Sequence, residues 1–275
     1  MNEYDLELLH SLLIKLAEEV KRICNDNNIR YSLTGGSMLG AIRHKGFIPW
    51  DDDMDIAMLR EDYDRFIEAC KTQIGPEYEI QTIENDENYF YGFAKVLLKD
   101  TYLVQYCHEN TKQKKGIYID IFPLDNVPEA RKKKQHQKRV NYLLMKMLDR
   151  KYGVAIEDKN SVLKFLGFHL LDILNITFSG KFLKRKLVEN MKKFDDEKTD
   201  TVCNLGGYYG YDKETTYRKY FEDNIVVPFE NTEFSIIKDY DTFLRTVYGD
   251  YMKLPPKEKR HTHGFRSLDF GPYRK

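Results

Sequence analysis

Four aspartates occupy five positions directly before an apolar run: Asp51, Asp52, Asp53 and Asp55. If residues 54–59 form a strand, Asp51, Asp53 and Asp55 project from one face, because strand side chains alternate. Three parallel carboxylates repel one another unless a cation lies between them. Oxygen-only ligands suit Mg²⁺ or Mn²⁺ rather than zinc. The spacing therefore predicts a divalent-metal site, in which Asp52 points away and takes no part.

Two other interpretations apply to this acidic run. An acidic first turn of a helix accounts for one or two aspartates, but not for an alternating set that leads into apolar sequence. A calcium-binding loop would use the same three alternating aspartates, and it also requires Gly at its sixth position and Glu at its twelfth. This chain has Ile56 and Asp62 at those positions, which excludes the calcium loop. A structural or solvated acidic run stays as the alternative to a metal site.

A further aspartate lies inside the apolar pattern of residues 116–122, which predicts a strand. A lone carboxylate in that pattern must be paired, protonated or metal-bound, because burying an isolated charge is costly. We expect Asp120 to complete a set with Asp53 and Asp55, as a metal ligand or as the base for a substrate hydroxyl. A structural hydrogen-bonding role is the alternative.

A Gly-Gly-Ser turn, formed by Gly35, Gly36 and Ser37, lies between a short predicted strand and a predicted helix. The glycines let the backbone approach a ligand, and the helix N-terminus offers N–H groups to a phosphate. Such a turn alone is a weak signal, but here the acidic run follows it. Arg43 and Lys45 lie between the two motifs, where we expect contacts with phosphate oxygens. A surface charge is the alternative for each.

The C-terminal segment 254–263 combines two consecutive prolines with Lys, Arg and His side chains. The prolines stiffen the backbone, and the basic side chains suit an anionic ligand. We expect Lys259, Arg260 and His263 to bind the substrate through its phosphate oxygens. A disordered basic tail is the alternative, although the aromatic and apolar residues that follow indicate a docked segment.

The elements that position these residues follow from hydrophobic spacing. Apolar residues at helical spacing predict an amphipathic helix over 5–27, and strands alternating with helices continue to about residue 127. This pattern predicts an α+β fold with a catalytic core at residues 1–128. Residues 129–275 are predicted to form a mainly helical region whose basic C-terminal segment completes the active site.

Charge is unevenly distributed along the 275 residues. Residues 1–128 contain 14 Lys and Arg against 23 Asp and Glu, whereas the rest contain 30 against 21. This difference suggests a metal-holding part and an anion-holding part. The basic run 131–139 is interpreted as a solvated helix face, with binding to an anionic membrane surface as the alternative.

The cysteine pattern and the N-terminus indicate where the protein works. Four widely separated cysteines without C-x-x-C spacing argue against a zinc ribbon or a disulfide framework and indicate a reducing compartment. The first residues lack the layout of a signal peptide, and no apolar run reaches about 18 residues. We predict a cytoplasmic protein, with the inner face of the membrane as the alternative location.

Residues 32–60, SLTGGSMLGAIRHKGFIPWDDDMDIAMLR, resemble the signature of the LicD family of phosphotransferases. The resemblance continues through GIYIDIFPLD at 116–125. It recurs in YGDYM at 248–252 and in the Pro-Pro…Lys-Arg-x-x-His segment that follows. Several separated blocks in the same order make the match specific, whereas residues 129–200 are not diagnostic.

This resemblance implies a nucleotidyltransferase-like fold, with a mixed β-sheet core flanked by helices. It also implies transfer of phosphocholine, or a related phospho-alcohol, from a CDP-activated donor to a sugar hydroxyl, releasing CMP. Implied acceptors are cell-surface glycans such as teichoic acid, lipopolysaccharide or capsule precursors. We expect no nucleic-acid partner.

The family pattern also maps onto individual residues. Its Gly-Ser turn corresponds to residues 36–37, its Asp-x-Asp strand to Asp53 and Asp55, and its later carboxylate to Asp120. Related ribitol-phosphate transferases share the alternating acids, which adds Asp51 to the implied ligands of Mg²⁺ or Mn²⁺. Two alternatives stay open: a nucleotidyltransferase that uses an NTP on a small acceptor, and a non-catalytic glycan- or nucleotide-binding protein.

Overall fold

A computed structural model describes residues 3–155, 176–260, 262 and 264–274. In this part of the chain, helices pack on a mixed, seven-stranded sheet. The helices are α1 Glu3–Asp26, α2 Gly35–Arg43, α3 Arg60–Gln73, α4 Arg131–Tyr152, α5 Gly180–Met191, α6 Tyr211–Glu214 and α7 Tyr240–Tyr248. The strands are β1 Ser32–Leu33, β2 Asp55–Leu59, β3 Tyr78–Gln81, β4 Ala94–Leu98, β5 Tyr102–Gln105, β6 Ile117–Asn126, β7 Thr201–Cys203, β8 Thr215–Tyr217, β9 Asn224–Phe229, β10 Thr232–Ile237 and β11 Phe265–Asp269.

The sheet has the strand order β1-β2-β6-β4-β3, and β7 and β8 continue from the end of β6. Strands β2 and β6 are parallel, whereas β4 runs antiparallel to β6. A parallel pair needs a long crossover connection, and the chain between β2 and β6 includes α3. Strand β6, which carries Asp120, therefore lies between two partners.

Helix α1 forms because leucine and other apolar residues recur at helical spacing, and its apolar face is buried against β4 and β6. Leu9, Leu16 and Val20 have no exposed surface. A second buried cluster joins residues 89–93 to α4 and α5 through side chains such as Leu148 and Leu187. The helices that follow residue 128 thus pack directly on a loop that precedes β4.

The C-terminal region is less helical than the sequence indicates. Residues 129–195 contain α4 and α5, with residues 156–175 outside the described part. After residue 200 the chain forms five strands, so the expectation of a mainly helical region is wrong there. Strands β9 and β10 pair with each other, whereas β7 and β11 find their partners at long range, on β6 and β5. Local spacing does not reveal such pairing.

The boundary at residue 128 does not separate two sheets, because β7 extends the sheet of the N-terminal region. The division into two domains stays a prediction. Within the described ranges, no helix is long and apolar enough to cross a membrane.

Candidate active site

Three charged residues form a row across the middle of the sheet. Asp55 on β2 is in register with Asp120 on β6, and Asp120 is in register with Lys95 on β4. Laterally paired residues project from the same face of a sheet. The predicted neighbours Asp55 and Asp120 therefore lie side by side, and a lysine completes the row.

The other three aspartates lie in the loop before β2, which begins at Asp55 rather than at residue 54. The alternation of side chains along a strand therefore does not determine where Asp51 and Asp53 point. One oxygen from each of Asp51, Asp52 and Asp53 lies within 4.8 Å of the others. Asp52 is only 3% exposed, so the expectation that it points away from the group is wrong. An irregular backbone lets consecutive side chains converge, which a strand forbids.

The carboxylates are crowded enough to perturb one another. Burial raises the pKa of Asp55 well above its usual range, and the neighbouring carboxylates of Asp53, Asp120 and Asp51 raise it further. Lys95 acts in the opposite direction. Like charges at such distances favour a cation between them. The oxygen-only donor set has the chemistry of a site for a hard divalent ion.

Lys95 is the main site residue that the sequence-based prediction missed. Its Nζ donates a hydrogen bond to Asp120 Oδ1 at 2.7 Å and lies 3.2 Å from the centroid of the Tyr118 ring. Burial lowers the pKa of Lys95, while Asp120 counteracts that effect. A signal was present, because Lys95 interrupts the apolar run of β4 as Asp120 interrupts that of β6.

Gly35, Gly36 and Ser37, which the sequence predicts as a turn before a helix, are instead the first three residues of α2. They pack against the acidic residues. A Cβ on Gly36 would lie 2.5 Å from Asp51 Oδ2, and one on Gly35 would lie 3.2 Å from Asp55 Oδ2. Ser37 Oγ accepts a hydrogen bond from the Asp55 backbone N–H at 2.9 Å. The N-terminus of α2 therefore faces carboxylates, a placement that its helix dipole favours. Contacts of these three residues with substrate stay a prediction.

Two of the predicted cations, Arg43 and Arg260, lie close enough for their charges to interact. The Arg43 guanidinium donates to the Tyr251 carbonyl at 2.7 Å, and that of Arg260 lies 5.0 Å from the centroid of the Trp50 ring. Burial lowers the pKa of Arg43, as does the charge of Arg260. Lys45 is exposed. Trp50, which Arg260 covers, directly precedes Asp51 in the chain.

Lys259 and His263 are the remaining predicted cations. Lys259 ends a short 3₁₀ helix, Lys257–Lys259, and its side chain is outside the described part of the structure. His263 also lies outside the described residues. Their predicted contacts with phosphate oxygens stay predictions.

A cavity of about 1180 Å³ opens beside the row of charges and is bordered by Gly35, Asp53, Asp55, Lys95 and Asp120. Its described lining does not include Gly36, Ser37, Arg43, Lys45 or Arg260. Aromatic side chains form much of the wall: Tyr91, Phe93, Tyr118, Phe122, Tyr208, Tyr209, Tyr217, Tyr220, Phe221, Phe243 and Tyr248. Ligand pockets usually measure about 300–1,000 Å³, so this cavity can hold more than one small substrate.

A further carboxylate in the cavity wall, Glu214, was not predicted. It ends α6, and Oε1 accepts a hydrogen bond from the Tyr209 backbone N–H at 3.4 Å. Burial raises its pKa to about 7. Nothing in the local sequence distinguishes this glutamate from a surface residue, because its surroundings come from the preceding loop and from α7.

Comparison with known proteins identifies the family. Residues 28–148 match the family model described as LicD/FKTN/FKRP, nucleotidyltransferase domain. The chain is 30% identical over 277 residues to lipopolysaccharide cholinephosphotransferase LicD of Haemophilus influenzae, an alignment that covers 96% of this chain and 97% of that protein. The chain belongs to the LicD family, as its motifs predict.

A second similarity is shorter. The chain is 31% identical over 111 residues to ribitol 5-phosphate transferase FKRP of Homo sapiens, which covers 40% of this chain and 20% of that protein. Both relatives are transferases by name, which supports a phosphotransferase activity for this chain.

Proposed function

We propose that this chain transfers phosphocholine, or a related phospho-alcohol, from a CDP-activated donor to a sugar hydroxyl of a cell-surface glycan. CMP is the proposed by-product, and lipopolysaccharide, teichoic acid or capsule precursors are the proposed acceptors. The observation that carries the proposal is the paired row of Asp55 and Asp120 at the edge of a large cavity. Near-complete alignment with a cholinephosphotransferase supports the same reaction class.

The proposed cofactor is Mg²⁺ or Mn²⁺, held by Asp51, Asp53, Asp55 and Asp120. The donor set fits such an ion, because it consists of crowded carboxylates; burial first, and their mutual repulsion second, raise the pKa of Asp55. When bound, a divalent ion supplies neutralisation of the donor diphosphate charge. Asp120 is proposed as a ligand or as the base for the acceptor hydroxyl.

The cations of the chain are proposed to act on the donor as well. Arg260 lies over the Trp50 ring, and its charge acts on Arg43. Guanidinium groups placed in this way suit phosphate oxygens. Lys45, Lys259 and His263 are proposed to join them in stabilising the departing CMP. Of Gly35, Gly36 and Ser37, Gly35 is the one that borders the described cavity. Its backbone is therefore the best-placed substrate contact of the three.

Choline is the proposed alcohol because aromatic rings line the cavity. A quaternary ammonium ion binds over the faces of Tyr and Phe rings, whereas a polyol such as ribitol gains less from them. Tyr209 and Tyr248 belong to this wall and lie near the acidic residues, whose charges raise the pKa of both phenols in addition to burial.

The test is a donor screen. The full chain is incubated with CDP-choline, CDP-ethanolamine, CDP-glycerol or CDP-ribitol, candidate glycan acceptors and Mg²⁺, and released CMP is measured by chromatography. We expect the highest rate with CDP-choline and no release in EDTA. Asp53→Ala should abolish release while circular dichroism stays unchanged, and exposed Asp196→Ala should behave like the wild type. Release of pyrophosphate from CTP, without CMP release from any CDP-alcohol, would establish the nucleotidyltransferase alternative.

We also propose a cytoplasmic location. The basic run at the start of α4 is exposed, and two of its lysines pair with Glu197 and Asp212. Sedimentation with vesicles that contain anionic lipid tests peripheral membrane association. Co-sedimentation that salt reverses would support it, and none at low salt would exclude it.

A further inference from the structure

Lys95 occupies a position that a metal-dependent phosphotransferase could otherwise give to a second metal ion. It is next to Asp120 in the row across the sheet, on the side opposite Asp55. Asp120 therefore has a carboxylate neighbour on β2 and an ammonium neighbour on β4. The row is asymmetric, with its crowded carboxylates on one side and a lysine side chain on the other.

The position of the Lys95 ammonium is tightly defined. The residue is 4% exposed, and its Nζ donates to Asp120 Oδ1 at 2.7 Å. The Tyr118 ring centroid is 3.2 Å from the same atom, and the Phe93 ring centroid is 5.6 Å away. Aromatic faces and one carboxylate are favourable surroundings for an ammonium ion that has lost its water. The side chain cannot swing into solvent without giving up all three contacts.

Two-metal phosphotransfer sites hold their ions about 3.5–4 Å apart, so that both contact the reacting oxygens. In this chain the crowded carboxylates of the loop and β2 provide for one ion. A second ion on the Asp120 side would meet the Lys95 ammonium, which repels it and already uses a carboxylate oxygen of Asp120.

We propose that Lys95 is the built-in second cation of the site, so that the protein binds a single divalent ion on the side of Asp51, Asp53 and Asp55. This inference rests on the metal site of the proposed function. Lys95 acts as a positioning residue, because it fixes Asp120 and limits where the ion binds. Its side chain also borders the cavity, so its charge is felt by an anionic donor there.

The test counts bound Mn²⁺ in the full chain by electron paramagnetic resonance and by isothermal titration calorimetry, with no donor present. We expect one Mn²⁺ per wild-type chain and two in Lys95→Met, which removes the ammonium charge and its hydrogen bond to Asp120 Oδ1. Lys95→Arg, which keeps the charge, should bind one. The matched control is Lys99→Met, which changes an exposed lysine just after the same strand and should also bind one.

Two Mn²⁺ per wild-type chain would overturn the inference, whether or not Lys95→Met folds. An equal count of one in the wild type and in folded Lys95→Met would overturn it as well, because Lys95 would then not be what excludes the second ion. No bound Mn²⁺ in the wild type would remove the metal site and the inference together. One Mn²⁺ in a protein that releases no CMP from any donor would refute the proposed function and leave the role of Lys95 standing.

Discussion

The two sides of the cavity are built in different ways. One side is the row on β2, β6 and β4 with the acidic loop, where charged residues lie close in sequence or on adjacent strands. The other side comes from residues 204–248, whose aromatic rings reach the cavity from loops and short elements. The first side carries the charges that can hold an ion and a diphosphate. The second offers surface that can distinguish one alcohol from another.

We expect this difference to separate catalysis from selectivity within one cavity. Changes on the charged side should stop the reaction with every donor. Changes on the aromatic side should alter the choice of donor and leave the reaction itself possible.

Asp55→Asn should lower the rate of CMP release by about 10³-fold or more for all donors, because phosphoryl transfer depends on neutralising the diphosphate charge. The same change should leave stability in EDTA equal or higher, since it removes one of the repelling carboxylates. Enzyme assays and thermal unfolding in EDTA give the two readings. A purely structural role for Asp55 predicts the reverse pattern, with lost stability and retained turnover per folded molecule.

The junction between the two sides depends on a buried ion pair. Arg60 Nε donates to Asp125 Oδ1 at 2.7 Å, and Asp125 is fully buried on β6 where β7 joins the sheet. Arg60→Met should lower the free energy of unfolding by about 3–5 kcal/mol, because it leaves a buried carboxylate without its counter-charge.

Chemical denaturation measures the effect of Arg60→Met, and Lys71→Met on the same helix, where both partners of the ion pair are exposed, serves as the control. A loss below about 1 kcal/mol would show that the junction does not depend on this pair.

Glu214 gives the aromatic side a pH dependence. Because burial raises its pKa to about 7, the folded protein holds this proton more tightly than the unfolded chain, whose carboxyl has a pKa near 4.5. The stabilisation of the folded state by the protonated Glu214 carboxyl is complete below pH 4.5 and is lost as the pH rises through 7. Glu214→Gln resembles the protonated form, so it should raise stability at pH 8 by about 1–3 kcal/mol and change little at pH 4.5.

Unfolding midpoints of the wild type and Glu214→Gln at pH 4.5 and pH 8 test this pH-dependent difference in stability. The groups around Glu214 include the Tyr209 and Tyr248 phenols and the Cys203 thiol, whose pKa values burial raises. They stay neutral over this range. An equal stability difference at both pH values would contradict the assigned titration.

Tyr248→Leu should have the smallest effect and the most selective one. Removing a ring from the wall should raise KM for CDP-choline about 5- to 10-fold, because one cation–π contact contributes about 1 kcal/mol. KM for CDP-ribitol should change less, and Tyr248→Phe should resemble the wild type. Tyr142→Leu, on the exposed face of α4, is the control. Equal changes for both donors would show that the wall does not select the alcohol.

The charged side could be predicted from the sequence to a large extent. A charge inside an apolar strand pattern identified Asp120, and the helix over residues 5–27 appears as α1. The convergence of Asp52 with its neighbours could not be predicted, because an irregular loop has no fixed side-chain period. The same rule applies to Lys95, which the sequence-based prediction missed, and its register with Asp120 depends on the pairing of β4 with β6.

The aromatic side could not be predicted in the same way. Glu214 and Tyr209 reach the cavity because β7 pairs with β6 and β8 pairs with β7. Those strands are three residues long, and their partners are distant in the chain. Short strands of this kind gain their stability from the sheet that they join rather than from their own sequence. Family resemblance located the motifs at both ends but not this wall.

The most direct test of the proposed function follows the transferred group itself. The full chain is incubated with Mg²⁺, a candidate glycan acceptor and either CDP-choline labelled in its methyl groups or CTP labelled in its α-phosphate. The acceptor is then isolated and its mass measured. We expect the choline label on the glycan, with a mass increase of one phosphocholine, and no transfer from CTP. Label from CTP on the acceptor, with none from CDP-choline or any other CDP-alcohol, would contradict the proposed function.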